Sequence, residues 1–369
     1  MTPTNRKKIV VAHSVRPDAP LHEVETNRAL ARWLAQILGL EYGGSYSPDL
    51  HAHCDLYLLP TQTLVGPAQA LSLGVKGPED LWGGYVDHDF ICTKTISHGL
   101  VGTAATAPDG WSPVFGERVG AVVLEGVSVF ALEDAHTGAE HLLESGPIRL
   151  KPAHACAGRG QEVIKGLAQV HGILARPGAA ELFAQGVVLE QDLQDVITHS
   201  VGQSFIGGHV FSYCGEQYLT QDGQGEAVYG GSDLLIVPGY YDELLALVLD
   251  DDVRLAIKQA QVFDSAADEA YPGFYASRRN YDIAQGLDHQ GRRRSGVLEQ
   301  SWRMGGASSA EVAALQSFIN DPGLRAIRVS CVETYIDQPL PANAIEIYRG
   351  PAEHGDFLLK YVTVKPYDG

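Results

Sequence analysis

The sequence contains few lysines, few cysteines and no long apolar run. Nine lysines stand against eighteen arginines, so a lysine in a chemically demanding position is informative. The five cysteines are widely spaced, odd in number and form no C-x-x-C pair, which argues against disulfides and thiolate zinc sites. No segment approaches the roughly 20 apolar residues that span a bilayer, and the apolar run after Lys8 is too short for a secretory signal. These absences predict a soluble, cytoplasmic protein.

Basic residues are also outnumbered, since 27 Lys and Arg face 45 Asp and Glu in 369 residues and give a net charge of −18. Polyanions repel such a chain, so we expect it to bind neither nucleic acid nor anionic membranes. The remaining composition is that of a globular protein and favours an enzyme that acts on small molecules. Residues 177–253 contain 13 acidic residues and no lysine or arginine, which suggests a cationic amine as one substrate. Assembly into a homo-oligomer stays open.

Hydrophobic periodicity predicts an N-terminal α/β lobe followed by a longer region rich in antiparallel strands. An apolar strand at 8–12, a helical pattern at 23–40 and a buried strand at 55–59 form a β-α-β unit. The further predicted helices are 132–143, 241–263 and 308–319, and the further predicted strands are 120–123, 126–131, 148–150, 186–190, 196–198, 204–214, 218–220, 234–237, 281–285 and 297–301.

A strand that ends in a lysine leads into a glycine-rich loop at 148–163, IRLKPAHACAGRGQEV. Lys151 precedes Pro152, and Gly158 and Gly160 give the loop a backbone that can approach an anion closely. A lysine at this point neutralises phosphate oxygens as a point charge. The spacing differs from Walker A and G-x-G-x-x-G motifs, and the alternative is a plain strand with a flexible loop.

Two carboxylates are predicted to face each other in a C-terminal hairpin. A turn at 288–291 pairs residues whose numbers sum to about 580, which brings Asp282 beside Glu299 with Cβ atoms about 4.5 to 5.5 Å apart. Such carboxylates repel unless a cation lies between them, and nucleotide-bound Mg²⁺ takes ligands of this kind. The alternative is a pair of solvent-facing strand carboxylates. Asp288 is a second candidate ligand, although its position favours a turn-forming role.

Taken together, these motifs resemble the ATP-grasp superfamily, nearer to its biotin-carboxylase-like and carboxylate-amine ligase members than to kinases. In that family two lysines hold the phosphates of ATP, the second within a K-P…G-x-G strand and loop. Lys94 matches the first lysine by position. Lys151, with Gly158 and Gly160, matches the second. The resemblance therefore implies that these residues bind ATP.

The next family element is an apolar strand ending in Glu-x-x-Leu, whose glutamate and backbone hold the adenosine. In this chain it is VVLEQDL, which places Glu190, Gln191 and Leu193 against the nucleoside. The family resemblance thus extends the ATP site from the phosphates to the base.

The last family element is E-x-N-x-R, which supplies a metal-binding glutamate, a metal-binding asparagine and a substrate-orienting arginine. Here the three positions are Glu299, Ser301 and Arg303, and Asp282 completes the Mg²⁺ ligands that the resemblance implies. Because serine replaces asparagine, one metal ligand is weaker or water-mediated. Whether one or two Mg²⁺ ions bind therefore stays open.

The resemblance covers residues 90–335 with the elements in family order. It implies an α/β and α+β protein with an N-terminal α/β lobe at 1–90, a two-lobed ATP-grasp domain at 91–190 and 191–335, and a β-rich extension at 336–369. It also implies a ligase that uses ATP and Mg²⁺ to activate a carboxylate as an acyl phosphate for attack by an amine or other nucleophile. Arg303 would orient the carboxylate, and Arg279, beside Arg278, would contact an anionic substrate or the γ-phosphate.

Two other classes of function stay open. The replacement at Ser301 is compatible with a nucleotide-binding regulatory or assembly protein that keeps the fold and has lost catalysis. A metal-dependent hydrolase is the third hypothesis, built on His51, His53 and Cys54, and it requires these side chains to share a zinc ion.

Overall fold

The computed structural model describes residues 8–16, 18–155, 160–352 and 355–367. The helices are α1 Leu21–Leu38, α2 Pro48–His51, α3 Gly66–Ser72, α4 Pro113–Val119, α5 Leu132–Leu143, α6 Leu167–Leu174, α7 Ala179–Gln185, α8 Tyr241–Leu245, α9 Asp251–Ala270 and α10 Ser308–Asn320, with 3-10 turns at Pro78–Asp80, Asp89–Cys92 and Lys94–Ser97. The strands are β1 Ile9–His13, β2 Glu41–Ser45, β3 Leu56–Pro60, β4 Leu64–Val65, β5 Gly84–Val86, β6 Gly126–Val129, β7 Ile148–Pro152, β8 Glu162–Ile164, β9 Val187–Gln191, β10 Gln194–Ile206, β11 His209–Gln221, β12 Ala227–Pro238, β13 Tyr275–Ala276, β14 Arg278–Leu287, β15 Arg293–Ser301, β16 Ile327–Thr334, β17 Ile345–Pro351 and β18 Phe357–Pro366. No helix in these ranges is long and apolar enough to cross a membrane.

The N-terminal lobe is a parallel sheet in the order β2-β1-β3, with α1 packed on it. The predicted β-α-β unit is confirmed, because β1 and β3 pair in parallel. Leu30, Ala31 and Leu34 form the buried stripe of α1. The helix ends at Leu38 and is capped by Gly39, whose φ of 64° suits glycine. Strand β2 follows where the sequence prediction had no strand.

The second layer is an antiparallel four-stranded sheet in the order β6-β9-β7-β8. Its outer face packs against α5, α6 and α7 through a core that includes Leu150, Leu189 and Phe183. Because side chains alternate along a strand, Lys151 and Glu190 point to the opposite face of this sheet. The strand predicted at 120–123 is wrong: α4 precedes a turn there, and Val123 makes a single bridge to Val297.

The largest layer is an eight-stranded sheet in the order β15-β14-β10-β11-β12-β16-β18-β17. The predicted meander and hairpin are confirmed as β10-β11-β12 and β14-β15. The helix predicted at 241–263 is instead α8 and α9, with a break at 246–250. Strands β17 and β18 continue this sheet through β16, so residues predicted as an extension contribute to it. The proposed division into four segments stays a prediction.

The two faces of the large sheet carry different partners. On one face α9 covers a core that includes Phe263, Ile283 and Val297, and on the other α1 and α10 cover a core that includes Phe211 and Leu315. Alternation along β14 sends odd-numbered positions 279 and 281 towards α9 and even-numbered positions 278 to 282 towards the α10 side. The face of the sheet to which each side chain points therefore determines which of the predicted site residues can contact one another.

Candidate functional site

Lys94 lies where the four-stranded sheet meets the edge of the eight-stranded sheet. Its side chain is buried, and its Nζ lies 3.1 Å from Glu299 Oε2 on β15. The same ammonium donates to the carbonyl oxygens of Ala153 at 3.2 Å and Ala155 at 2.6 Å, just after β7. Lys94 thus contacts both the strand that carries Glu299 and the backbone that follows the strand of Lys151.

The 3-10 turn that carries Lys94 is fastened to β15 by Gln300. The amide of Gln300 donates to the carbonyl oxygens of Ile91 and Thr93 at 2.8 Å each. The Thr93 hydroxyl in turn accepts from the backbone of Thr95 and caps the turn. These contacts explain how a lysine in a short irregular segment is held in a fixed place.

Lys151 forms a buried ion pair with Glu190 inside the site. Its Nζ contacts Glu190 Oε1, while His98 Nε2 lies 3.2 Å from Glu190 Oε2. Burial raises the pKa of the Glu190 carboxyl, but the charge of Lys151 and the contact with His98 outweigh it and lower the pKa to about 2. Glu190 is therefore ionised, and both of its oxygens hold side chains of this chain rather than facing an open pocket.

The remaining predicted nucleotide residues lie around this pair. Gln191 ends β9 and donates from its backbone to Glu125 O at 2.8 Å, and Leu193 packs in a small apolar cluster with Leu124. Gly160 has a φ of 68°, a conformation that favours glycine. Gly158 lies outside the described residues. The structure thus brings the end of β9 beside the two lysines.

Asp282 and Glu299 are directly opposite each other in the β14-β15 ladder, as predicted. The register shifts at this point, because Ile283 pairs with Val297 and Asp282 pairs with Glu299, leaving Leu298 as an extra residue. This is a β-bulge, which reverses the alternation of side chains on one strand. The Leu298 carbonyl accepts a hydrogen bond from the Ser97 hydroxyl at 3.2 Å, which fixes the bulge against the turn of Lys94.

Glu299 is paired with Lys94, whereas Asp282 beside it keeps an unfavourable environment for its charge. Burial and the charge of Glu299 raise the pKa of Asp282 to about 7, although Gln217 donates to its Oδ1 at 2.7 Å. A divalent cation would relieve this repulsion. Across the described residues no group of three or more His, Cys, Asp or Glu forms a metal cluster. Two carboxylates alone suit Mg²⁺, which keeps waters and substrate phosphates as its other ligands.

The chain after Glu299 carries the other two members of the signature. Ser301 ends β15 opposite Asn280, and the Arg303 guanidinium donates to Met304 O at 2.8 Å. Ser301 is the last residue of β15, and Arg303 lies in the segment that joins β15 to α10. Ser301 is two positions from Glu299, so the two side chains share a face of the strand.

The structure turns Arg279 of β14 away from this site, whereas Arg278 is buried against α10. Arg279 points towards α9, where it contacts Asp264 at 2.7 Å and Asp268 at 2.9 Å, on the face opposite Asp282. Arg278 is fully buried against Glu311 of α10 at 2.7 Å. Arg279 is directed away from Asp282 because neighbouring residues on a strand point to opposite faces of the sheet.

Two other predicted candidates have structural roles. Asp288 Oδ1 accepts from the backbone amides of Gln290 at 3.0 Å and Arg292 at 2.9 Å, so it forms the hairpin turn. His51 lies on α2 rather than on a strand, and its Nδ1 contacts the Ser47 backbone. The exposed Cys54 thiol donates to Leu50 O. His51, His53 and Cys54 form no metal cluster in the part of the chain that the structure describes.

His98 is the clearest site residue that the sequence analysis missed. It is buried and lies four residues after Lys94, at the end of the same turn. Gly126 makes room for it, since a Cβ there would lie 2.8 Å from the His98 ring. The sequence run TKTISH, which joins a lysine and a histidine across apolar and hydroxyl residues, was the available signal.

Comparison with known proteins agrees with this architecture. The structure resembles phosphoribosylamine–glycine ligase from Thermotoga maritima, with a TM-score of 0.50 at 14% identity over 93% of this chain and 90% of that chain. That ligase has an ATP-grasp fold, so the predicted fold class is confirmed. None of the curated proteins matches the sequence. Residues 10–362 match a family described as a protein of unknown function, DUF3182, and the chain therefore belongs to the DUF3182 family.

Proposed function

We propose that this protein is an ATP- and Mg²⁺-dependent ligase that activates a carboxylate as an acyl phosphate and passes the acyl group to an amine or another nucleophile. The observation that carries the proposal is the meeting of Lys94 with Glu299 at 3.1 Å, next to the Asp282 carboxylate. A phosphate-binding cation and a pair of metal-binding carboxylates are the groups that phosphoryl transfer requires. The likeness to a phosphoribosylamine–glycine ligase supports the same class.

The ATP phosphates would lie between the two lysines. Lys94 and Lys151 are buried, so their charges act in a medium of low dielectric and bind phosphate oxygens more strongly than surface lysines do. The backbone at Gln191 and Leu193 would hold the adenosine. Because Glu190 already serves Lys151 and His98, its role in the proposal is to orient Lys151.

Mg²⁺ would be held by Asp282 and Glu299, with Ser301 as a weaker or water-mediated ligand. When bound, the ion supplies positive charge that offsets the phosphates and the two carboxylates. Asp282, whose pKa is raised to about 7, would have to be ionised to hold the ion. Metal binding would therefore depend on pH near neutrality.

The chemistry would proceed in two displacements. A substrate carboxylate oxygen attacks the γ-phosphorus, and the bond from that phosphorus to the β-phosphate oxygen breaks. The products of this step are ADP and an acyl phosphate. The nucleophile then attacks the acyl carbon, the bond from that carbon to the phosphate oxygen breaks, and inorganic phosphate departs while the proton of the nucleophile passes to phosphate or solvent. Arg303 would orient the carboxylate and stabilise negative charge on the acyl phosphate. The acidic residues in 177–253 suit a cationic amine as the nucleophile.

The test is ADP release by purified protein across a panel of carboxylic acids and amines, with Mg²⁺ present. We expect ADP and phosphate in equal amounts with one acid and amine pair, and no product with Lys151→Ala or Glu299→Ala. Nucleotide binding without ADP release under every condition would favour the alternative, a regulatory protein that has lost catalysis. Absence of nucleotide binding in the wild-type protein would refute both functions.

A further inference from the structure

Arg278 binds the backbone that follows the candidate metal ligand. Its Nη1 donates to the carbonyl oxygen of Ser301 at 3.2 Å and to that of Arg303. Its Nε lies 3.0 Å from Glu311 Oε1, and its Nη2 lies 2.7 Å from the same oxygen. One buried side chain thus connects helix α10 with the backbone of residues 301–303.

Glu311, the partner of Arg278, also accepts hydrogen bonds from two hydroxyl groups. Glu311 Oε1 accepts from the Tyr213 hydroxyl at 2.8 Å, and Oε2 accepts from the Ser204 hydroxyl at 2.5 Å. Both the arginine and the glutamate have fully buried side chains. The charges therefore compensate each other, and the position of the guanidinium is set by β10, β11 and α10 together.

Helix packing alone does not require such an ion pair. Two charges lose their hydration on burial, and apolar residues of similar volume often give equal or greater stability at such a position. What an apolar pair cannot do is bind two carbonyl oxygens. A lysine would supply charge without the planar fork that reaches Glu311 and both carbonyls together.

We infer that Arg278 is a positioning residue, which fixes the Ser301 and Arg303 backbone so that the serine hydroxyl and the arginine side chain are presented to the site. This inference rests on the proposed ligase function. Arg278 touches neither metal nor substrate in this role. It acts through Ser301 and Arg303, and it draws its own orientation from Glu311.

The experiment compares Arg278→Lys and Glu311→Gln with the wild type by hydrogen exchange and kinetics. We expect amide exchange in 299–306 to be about tenfold faster in both variants. We expect kcat for ADP formation to fall about 10- to 100-fold, since small misplacements of a reacting group have effects of this size. The KM for ATP should change by less than about threefold, because Lys94 and Lys151 are untouched.

Arg254→Lys is the matched control. Arg254 also donates to two backbone carbonyls, those of Leu245 at 2.7 Å and Leu247 at 2.9 Å, but it lies in the first turn of α9 and binds the end of α8. This variant should leave exchange in 299–306 and kcat at wild-type values. A fall in kcat equal to that of Arg278→Lys would mean that the loss of any arginine bound to two carbonyls has this effect, and would overturn the inference.

The double variant Arg278→Met/Glu311→Leu separates positioning from stability. We expect its thermal midpoint to return to within a few degrees of the wild type, while kcat stays low and exchange in 299–306 stays fast. Recovery of kcat and exchange together with stability would show a merely structural pair. If the wild-type protein forms no ADP at all, the ligase proposal fails, and the exchange data still decide whether Arg278 fixes the segment.

Discussion

The ammonium of Lys94 and the carboxylate of Glu299 lie 3.1 Å apart, joining the turn before the four-stranded sheet to the edge of the eight-stranded sheet. The group proposed for phosphate and the group proposed for Mg²⁺ thus lie in contact. Binding of Mg-ATP would replace this pair with two new ones, Lys94 with phosphate and Glu299 with the ion. Nucleotide and metal are therefore expected to bind together rather than independently.

Glu299→Gln should remove this coupling. Mg²⁺ should no longer tighten ATP binding, so affinity for Mg-ATP should fall about 10- to 100-fold, while affinity for ATP without Mg²⁺ should change by less than about threefold. Titration calorimetry with and without Mg²⁺ measures both values. Glu333→Gln is the control, because Glu333 pairs with Lys360 at 3.0 Å elsewhere on the same sheet. An equal Mg²⁺ effect in wild type and Glu299→Gln would contradict the metal assignment.

Asp282→Asn should stabilise the metal-free protein at alkaline pH. The raised pKa means that folded protein keeps a proton between about pH 4 and pH 7 that the unfolded chain has released, so stability conferred by that proton is lost as pH rises to 7. Asparagine does not ionise, so the variant does not lose stability in this way as the pH rises. We expect it to gain about 1 to 2 kcal/mol in the free energy of unfolding at pH 8 and nothing at pH 4, measured by urea titration.

Added Mg²⁺ provides the control for that comparison. At pH 8 it should stabilise the wild-type protein and have little effect on Asp282→Asn. A difference between the two proteins that is the same at pH 4 and pH 8 would indicate a packing effect instead of a titrating carboxylate.

Lys151→Met should destabilise the fold as well as abolish ATP binding. It leaves the Glu190 carboxylate buried without its main counter-charge, which costs about 3 to 5 kcal/mol. Lys151→Met/Glu190→Gln should recover most of that stability and still fail to bind ATP. Chemical denaturation and nucleotide titration of both proteins test this. Recovery of ATP binding in the double variant would show that Lys151 does not contact the nucleotide.

Glu190→Gln should show the opposite pH dependence to Asp282→Asn. The pKa of Glu190 is lowered to about 2, so its contribution to stability is present above its ordinary pKa of 4.5 and is lost as pH falls towards 2. The variant should therefore be less stable than the wild type at pH 7 and equal to it near pH 2. Urea midpoints across this range measure the effect, and a constant difference would exclude it.

Arg303→Lys should affect turnover more than binding. The substitution keeps the positive charge but removes the planar fork that would orient a carboxylate. We expect kcat to fall about 100-fold with the dissociation constant of ATP within about threefold of wild type. Steady-state kinetics and calorimetry give the two numbers. Arg349→Lys, in an exposed ion pair with Glu346 near the far edge of the sheet, should leave both unchanged.

The sequence predicted the elements with strong local patterns. The β14-β15 hairpin followed from turn chemistry and from apolar strands at equal distances from the turn, and Asp282 does face Glu299. Helix α5 matched its predicted bounds because its apolar spacing and acidic first turn agree. The prediction of a single helix at 241–263 was wrong, because apolar residues continue through 246–249 and their spacing gives no sign of the break between α8 and α9.

The contacts that complete the site could not be predicted from local sequence patterns. Lys94 meets Glu299 only because Gln300 fastens a 3-10 turn to a strand far along the chain. Arg279 was assigned to the site from its sequence neighbours, whereas strand parity turns it towards Asp264. Long-range pairing and face selection depend on the assembled sheets, and one sequence carries little information about either.

The extra residue at Leu298 has a consequence for comparing this strand with others. Val297 belongs to the core under α9 and Glu299 to the opposite face, although residues two apart on a regular strand share a face. An alignment with an unbulged strand must therefore open a one-residue gap at Leu298. Without that gap, Glu299 would be matched to a position that faces the wrong side, and its proposed role would be transferred to a core residue.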